Sequence, residues 1–217
     1  MLPWKFTFLL GWVASIICFI LANVFFMVIY KLNLPYFEQY KILKSEPWPW
    51  VADRKNWDVI LVRTLKLVCF NLLVVSPCFV LSLMSLNGYK TKHPVNMEAL
   101  PSKFTIVWQI LFCTLIEDFA FSLSHKFLHR PFFYKHVHKL HHSYLHAVSI
   151  AGLYTHPFEF TIGGIIPAGL PTMILGAHMH YYTVVLWIMM RSINTTSSHS
   201  GYDFPCFLPW DLLPMRA

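Results

Sequence analysis

The sequence predicts an all-α protein, a polytopic bundle of membrane helices with a histidine-rich cap on the cytosolic side. Hydrophobic residues make up 56% of the 217 residues and charged residues only 12%, whereas a soluble domain carries about 25% charged residues. Long apolar runs alternate with polar segments. Twelve histidines occur, and eight of them lie between His125 and His156.

The apolar runs are long enough for membrane helices. The first, residues 6–30, holds no charge over 25 residues, enough to cross about 30 Å of hydrocarbon. Further helices are expected near residues 59–86 and 104–129, and Pro131 ends the latter because proline has no N–H to donate. The last run, residues 158–190, is predicted to form a broken hairpin, because it contains the helix breakers Gly163, Gly164, Pro167, Gly169 and Pro171.

The charges fit a membrane protein better than a nucleic-acid-binding one. The formal net charge is +7, but the cations are sparse and lie at the ends of apolar runs. This placement favours the positive-inside bias over a basic stripe for phosphates, so no nucleic-acid partner is expected. The five cysteines show no C-x-x-C spacing, so neither a disulfide framework nor a cysteine zinc site is expected. The cations that place the histidine-rich segment on the cytosolic side are Lys126, Arg130, Lys135 and Lys139.

The third predicted helix carries a candidate metal-binding stripe. Asp118, His125 and His129 fall within about 20° of one line on a helix surface, because each residue turns by about 100°. The two histidines are i, i+4 neighbours, so both imidazoles can hold one metal ion. Taken alone, this pair is equally consistent with polar residues at a helix end.

A second group of histidines follows at once. His138, His141 and His142 form an H-x-x-H-H pattern, and on a helix these three imidazoles converge, while His136 points away. The alternative is a solvated basic stretch, since lysines are interleaved. Imidazole suits zinc and iron, and five imidazoles exceed what one tetrahedral zinc needs. The pattern therefore favours two metal ions.

These motifs resemble the fatty acid hydroxylase superfamily of membrane di-iron oxygenases. The resemblance rests on the two histidine groups, on Glu117-Asp118, and on two further elements: residues 154–159, which read Y-x-H-P-x-E, and residues 199–203, which read H-S-G-Y-D. Together they are most similar to the C-4 methylsterol oxidases, while cholesterol 25-hydroxylases share much of the pattern. The resemblance divides the chain into N-terminal anchor helices and loops, residues 1–103, and a hydroxylase-like domain, residues 104–217.

The resemblance implies a site and a chemistry. Two iron ions would activate O2 to oxidise a C–H bond of a sterol or another long lipid, with electrons from NAD(P)H through cytochrome b5 and its reductase. Glu117 and Asp118 would accept an imidazole N–H, and the protein would be a multi-pass protein of the endoplasmic reticulum membrane. For His156 and His199, structural roles before a proline and at a helix end stay open. The implied ligands are His125, His129, His138, His141, His142, His156 and His199.

The family also carries a third histidine box after the H-S-G-Y element, and no histidine follows His199 here. The hydroxylase-like domain is therefore expected to be incomplete at its C-terminus. The chain is expected to enter the membrane, to bind less than a full pair of irons and to lack methylsterol oxidase activity. The alternatives are a catalytically inactive membrane scaffold or regulatory isoform and, least favoured, a histidine-rich metal transporter.

Overall fold

The computed structural model describes residues 4–96 and 98–205, and these residues confirm the all-α membrane fold. Within them the β-type pairing is a single isolated bridge between Lys41 and Tyr202. Four helical stretches are long and apolar enough to cross a membrane: Lys5–Leu32, Arg54–Leu86, Lys103–Leu128 and Pro157–His178. Large apolar side chains are exposed along these stretches, as expected of surfaces that face lipid. The last twelve residues of the predicted hydroxylase-like domain, 206–217, lie outside the described residues.

The first two spans frame a polar segment. Helix α1 (Trp4–Leu32) is followed by two short helices, α2 (Pro35–Glu38) and α3 (Pro49–Ala52). Helix α4 (Arg54–Phe70) begins where the Asp53 carboxylate accepts the Asn56 N–H, which satisfies one of the free amides of the first turn.

A π-helical turn, Asn71–Val75, joins α4 to α5 (Ser76–Leu86). Pro77 lies in the first turn of α5, and a proline can neither donate to the preceding turn nor pack closely on it. The widened turn accommodates it. The same turn directs the buried Asn71 amide towards the Thr155 carbonyl oxygen, at 2.9 Å, and so fixes the loop that precedes His156.

The third span is the straight helix α6 (Lys103–Leu128), which begins where the Ser102 hydroxyl accepts the Thr105 N–H. It ends at His129, and the short helix α7 (Pro131–His136) follows. The termination by proline is therefore as the sequence predicts.

The fourth span differs from the expected hairpin in the position of its turn. Helix α8 (Pro157–Glu159), a π-helical stretch (Phe160–Ile165) and α9 (Ile166–Leu175) run on without a break. The widened stretch contains Gly163 and Gly164 and accommodates Pro167, as the other π turn accommodates Pro77, while Gly169 and Pro171 lie inside α9. The chain reverses later, at Gly176, where φ is +47°, and α10 (Tyr181–Ser198) follows.

Helix packing produces two apolar clusters. Helix α1 lies along α10, and α6 lies along α9. One cluster joins α6, α9 and α10 around the buried Trp187. The other lies at the C-terminal end of α1, where Tyr30 packs with Trp48 and Tyr202. This second cluster supports the histidine-rich cap.

Tyr30 ties α1 to both loops of the cap. Its hydroxyl donates to the Ser200 carbonyl oxygen at 2.6 Å and accepts the Ser149 N–H at 3.1 Å. The turn after α10 is further held by the Ile42 N–H, which donates to the Gly201 carbonyl oxygen at 3.0 Å. Because the turn directly follows His199, these contacts fix the position of that histidine.

Gly201 is required at this turn. Its φ is +77°, and a β-carbon there would lie 2.6 Å from the Ala147 carbonyl oxygen and 3.2 Å from the Trp48 ring. We expect Gly201→Ala to lower the free energy of unfolding by at least about 1–2 kcal/mol, the usual cost of a left-handed conformation for a residue with a β-carbon. Thermal unfolding in detergent measures the change. Gly169→Ala is the control, because no atom lies within 4 Å of its added β-carbon, and equal stability of the two variants would contradict the prediction.

Candidate metal centre

Four histidines converge at the end of the third span. His125 lies in the last turn of α6, His129 is its C-terminal cap, and His138 and His142 belong to a 3-10 helix, His138–Ser143. One ring nitrogen from each of the four lies within 4.8 Å of every other. The two helical segments involved, α6 and the 3-10 helix, are connected by α7, so the cluster depends on the turn at Pro131.

The spacing of these nitrogens suits a metal ion. The Nε2 atoms of His125 and His129 are 3.1 Å apart, those of His129 and His138 3.2 Å, and those of His138 and His142 2.9 Å. Neighbouring ligands bound about 2.1 Å from an ion lie about 3.0–3.4 Å apart in octahedral or tetrahedral geometry. The four imidazoles therefore fit one ion, and their chemistry suits iron or zinc.

Glu159 orients the most deeply buried of the four histidines. His138 is fully buried, and its Nδ1 lies 2.7 Å from the Glu159 Oε1. A Nδ1–H donated to this carboxylate leaves the Nε2 lone pair directed at the cluster and makes it more basic. Sequence reasoning did not assign Glu159 to the site. The available signal was an acidic residue at the start of an apolar span, which is costly unless it has such a partner.

A second pair of histidines lies beside the first group. The Nε2 atoms of His141 and His199 are 3.3 Å apart, and the His199 Nδ1 donates to the Thr195 carbonyl oxygen at 2.9 Å. The ring of His141 is 5.8 Å from that of His138 and 5.7 Å from that of His142. The cap thus presents two adjacent groups of imidazole nitrogens.

The second histidine motif is divided between the two groups, contrary to the expected convergence of all three imidazoles on an α-helix. The segment is a 3-10 helix, in which successive side chains point about 120° apart. Adjacent residues thus point in different directions: the His142 Nε2 lies 2.9 Å from the His138 Nε2, and the His141 Nε2 meets the His199 Nε2 of α10. A separation of this kind suits two ions rather than one.

The pKa values of four imidazoles in the cap, His129, His141, His142 and His199, are lowered, which favours their neutral form. The pKa of His141 is lowered to about 3, chiefly by burial and to a lesser extent by the neighbouring His199 and His138. Burial also lowers the pKa of His199, and burial with the adjacent His138 lowers the pKa values of His129 and His142. A metal ion binds only the unprotonated nitrogen, so these shifts favour binding at neutral pH.

Within residues 4–96 and 98–205, Glu117 pairs with a guanidinium and not with an imidazole, which differs from the expected contact. Its Oε1 instead accepts the Arg191 Nε at 2.5 Å, because the two side chains meet across the buried contact of α6 and α10. Arg191 also donates to the Thr195 hydroxyl. The carbonyl oxygen of the same Thr195 accepts the His199 Nδ1–H. Glu117 therefore acts on the second histidine pair through α10. Asp118 is half-buried beside Glu117, and no imidazole hydrogen bond to it occurs in the part of the chain that the structure describes.

His156 lies outside the four-histidine group. Its Nδ1 accepts the Phe158 N–H at 3.2 Å, so the side chain caps α8. His136 is exposed, and its Nδ1 lies 2.8 Å from the Phe132 carbonyl oxygen, which agrees with its predicted direction away from the other histidines.

Comparison with known proteins identifies the class. Residues 110–216 match the fatty acid hydroxylase family, and these residues contain every candidate ligand. Residues 110–216 are therefore a fatty acid hydroxylase domain, which agrees with the superfamily that the motifs resemble.

Several curated relatives are similar over most of this chain. A very-long-chain aldehyde decarbonylase of Oryza sativa subsp. japonica is 35% identical over 82% of this chain and 62% of its own length. Methylsterol monooxygenase 1 of Gallus gallus is 30% identical over 85% of this chain and 58% of its own length. A methylsterol monooxygenase of Arabidopsis thaliana is 35% identical over 68% of this chain and 54% of its own length.

The chain thus spans about three fifths of the length of the first relatives that it matches. No solved structure matches it significantly. The family and these relatives are oxidative enzymes that act on lipids or sterols, so the chain is placed in a family of membrane lipid oxidation.

The hydrogen bond from His138 to Glu159 provides a test of the centre. We expect Glu159→Gln to weaken metal binding about 10- to 100-fold, because the amide keeps the shape of the side chain but not the charge that makes the imidazole more basic. Competition with a chromogenic chelator measures the affinity for Fe²⁺ or Co²⁺. His136→Ala is the control and should change the affinity less than twofold. An affinity unchanged in Glu159→Gln would show that this carboxylate does not support the centre.

Proposed function

We propose that the chain is an iron-dependent membrane oxygenase of the sterol type, acting on a C-4 methyl group. The observation that carries the proposal is the convergence of four imidazole nitrogens, backed by the Glu159 carboxylate, at the end of membrane-crossing helices. This donor set suits iron. Its position beside the spans allows a lipid to reach it from the bilayer.

The two groups of nitrogens support a centre of two ions. His125, His129, His138 and His142 would hold one ion, and His141 and His199 would contribute to the other. His156, which lies three residues before Glu159, is a further candidate for the second ion. Iron bound there would supply the activation of O2 that oxidation of an unactivated C–H bond requires.

The protein's own residues prepare the centre. Glu159 sets the tautomer of His138, and the Thr195 carbonyl oxygen sets that of His199. Burial keeps His141 and His199 unprotonated, as the lowered pKa values of both indicate. The ion pair between Arg191 and Glu117 joins α10 to α6 and so supports the pair of His141 and His199. These contacts reduce the rearrangement that metal binding would otherwise require.

A methylsterol is the favoured substrate because the H-P and H-S-G-Y elements resemble those of methylsterol oxidases and because two methylsterol monooxygenases are among the relatives. The similarity to rice aldehyde decarbonylases supports a long-chain aldehyde as the second candidate. A cholesterol 25-hydroxylase-like activity and an inactive scaffold are the remaining alternatives.

Electrons would come from NAD(P)H through cytochrome b5 and its reductase, since the chain has no glycine-rich dinucleotide fingerprint. Exposed cations surround the centre, which supports a cytosolic face in the endoplasmic reticulum membrane and an acidic redox partner. These cations are Lys126, Arg130, Lys135 and Lys139.

The test is performed in cells that lack their own methylsterol oxidase. The protein that carries this sequence should lower the level of C-4 methylated sterols, measured by mass spectrometry. His138→Ala should abolish the effect and His136→Ala should retain it, because only the former removes a candidate ligand.

Two further measurements in the same cells separate the alternatives. Unchanged sterols together with conversion of a long-chain aldehyde would replace the sterol proposal with the second candidate. No conversion of either substrate would favour the scaffold. The 217-residue chain expressed alone tests separately the expectation that this form is inactive.

A further inference from the structure

The polar segment between α1 and α4 encloses a second candidate site. A cavity of about 700 Å³ lies there, and none of the candidate metal ligands lines it. Three lysines contribute to its wall, Lys31, Lys41 and Lys44, together with Trp48 and Trp50. The cavity is therefore basic and aromatic, unlike the histidine cap.

Lys41 is a buried cation without a carboxylate partner among the residues described here. Its exposed fraction is 8%. The Nζ donates to the Glu46 carbonyl oxygen at 2.5 Å and lies 4.5 Å from the centre of the Trp48 ring. An ammonium taken out of water is costly unless an anion accompanies it. The Glu46 carbonyl oxygen and the Trp48 ring carry no net charge, so neither is the anion that would balance the Lys41 ammonium.

Trp48 also lines this cavity. Its exposed fraction is 6%, and its Nε1–H has no acceptor within the described part of the chain. Buried indole N–H groups normally find a partner. Lys31 and Lys44 are exposed at the cavity wall, and neither forms an ion pair within residues 4–96 and 98–205.

The acidic groups of the cavity, in contrast, are already engaged. The Glu38 Oε1 accepts the Tyr202 hydroxyl at 2.5 Å, and the Glu46 Oε2 lies 2.8 Å from the His146 Nε2. The wall has three lysines against two glutamates, and one oxygen of each glutamate is already engaged, so positive charge remains in excess. A ligand that matches it is an anion with several acceptor oxygens.

The location indicates where such an anion comes from. Lys31 lies in the last turn of α1, at the end of the span Lys5–Leu32, so the cavity lies at the level of the lipid headgroups. Tryptophan, tyrosine and lysine favour that level. The volume also exceeds the needs of an inorganic phosphate and suits a headgroup with its glycerol.

We infer that this cavity binds the phosphate-bearing headgroup of an anionic phospholipid. Lys41 contacts the phosphate, Lys31 and Lys44 supply the surrounding positive charge, and the Trp48 ring lines the site. The site is independent of the proposed function.

Binding here acts on the cap. The strand-like segment around Lys41 pairs with the turn after His199: the Ile42 N–H donates to the Gly201 carbonyl oxygen, and the Asp203 N–H donates to the Tyr40 carbonyl oxygen at 2.8 Å. An anion that neutralises Lys41 therefore stabilises the turn that positions His199. A phospholipid bound at Lys41 therefore helps to position the second histidine pair, His141 and His199.

Native mass spectrometry of the protein in detergent tests the inference. Titration with phosphatidylserine should give a saturable adduct of one lipid, and phosphatidylcholine or inorganic phosphate should bind more weakly. Lys44→Gln should weaken phosphatidylserine binding about fivefold, the effect of one cation near an anionic surface. Lys55→Gln is the control: it removes the same charge from the same polar region, but Lys55 does not line the cavity.

Each other outcome overturns the inference. Equal affinity for phosphatidylcholine would remove the need for an anionic headgroup. Inorganic phosphate that binds as tightly as the lipid would make the cavity a phosphate site and not a lipid site. Equal effects of Lys44→Gln and Lys55→Gln would reduce the interaction to general surface charge. Lys41→Gln gives a further check, since its loss of binding should exceed that of Lys44→Gln.

Discussion

The approach of imidazole nitrogens to one another is the constraint on which the cap depends. Four of them lie within 4.8 Å, and neutral imidazoles whose lone pairs converge repel one another unless a proton or a metal ion lies between them. The protein holds them there with contacts from several helices, among them Glu159 from the fourth span and Thr195 from α10. A metal ion converts this unfavourable arrangement into a bonded one, and it ties together helices that are distant in sequence.

The membrane spans and the cap are interdependent. Tyr30, near the end of α1, hydrogen-bonds both cap loops, and Asn71 in a π-helical turn fixes the loop before His156. Each of these residues lies in the part of the chain that the sequence motifs do not cover. The first hundred residues thus contribute the support that the histidine motifs need, as well as membrane anchorage.

Local patterns predicted local features, and tertiary contacts decided the rest. The i, i+4 spacing of His125 and His129 sufficed to place both on one face of α6, and the hydrophobic runs sufficed to locate the spans. The separation of His141 from His142 depends on His199, which approaches His141 from the end of α10, 58 residues away, and residue spacing does not reveal that contact. The partners of Glu117 and His138 lie 74 and 21 residues away, so no sequence pattern within one helix could identify them.

X-ray absorption at the iron edge tests the central claim most directly. The purified protein, reconstituted with Fe²⁺, should show a first shell dominated by nitrogen, with the outer-shell scattering of several imidazole rings. His138→Ala should reduce that imidazole contribution and His136→Ala should leave it unchanged. A first shell of oxygen or sulfur, or a protein that excludes iron, would contradict the assignment of this cap as a histidine-held iron centre.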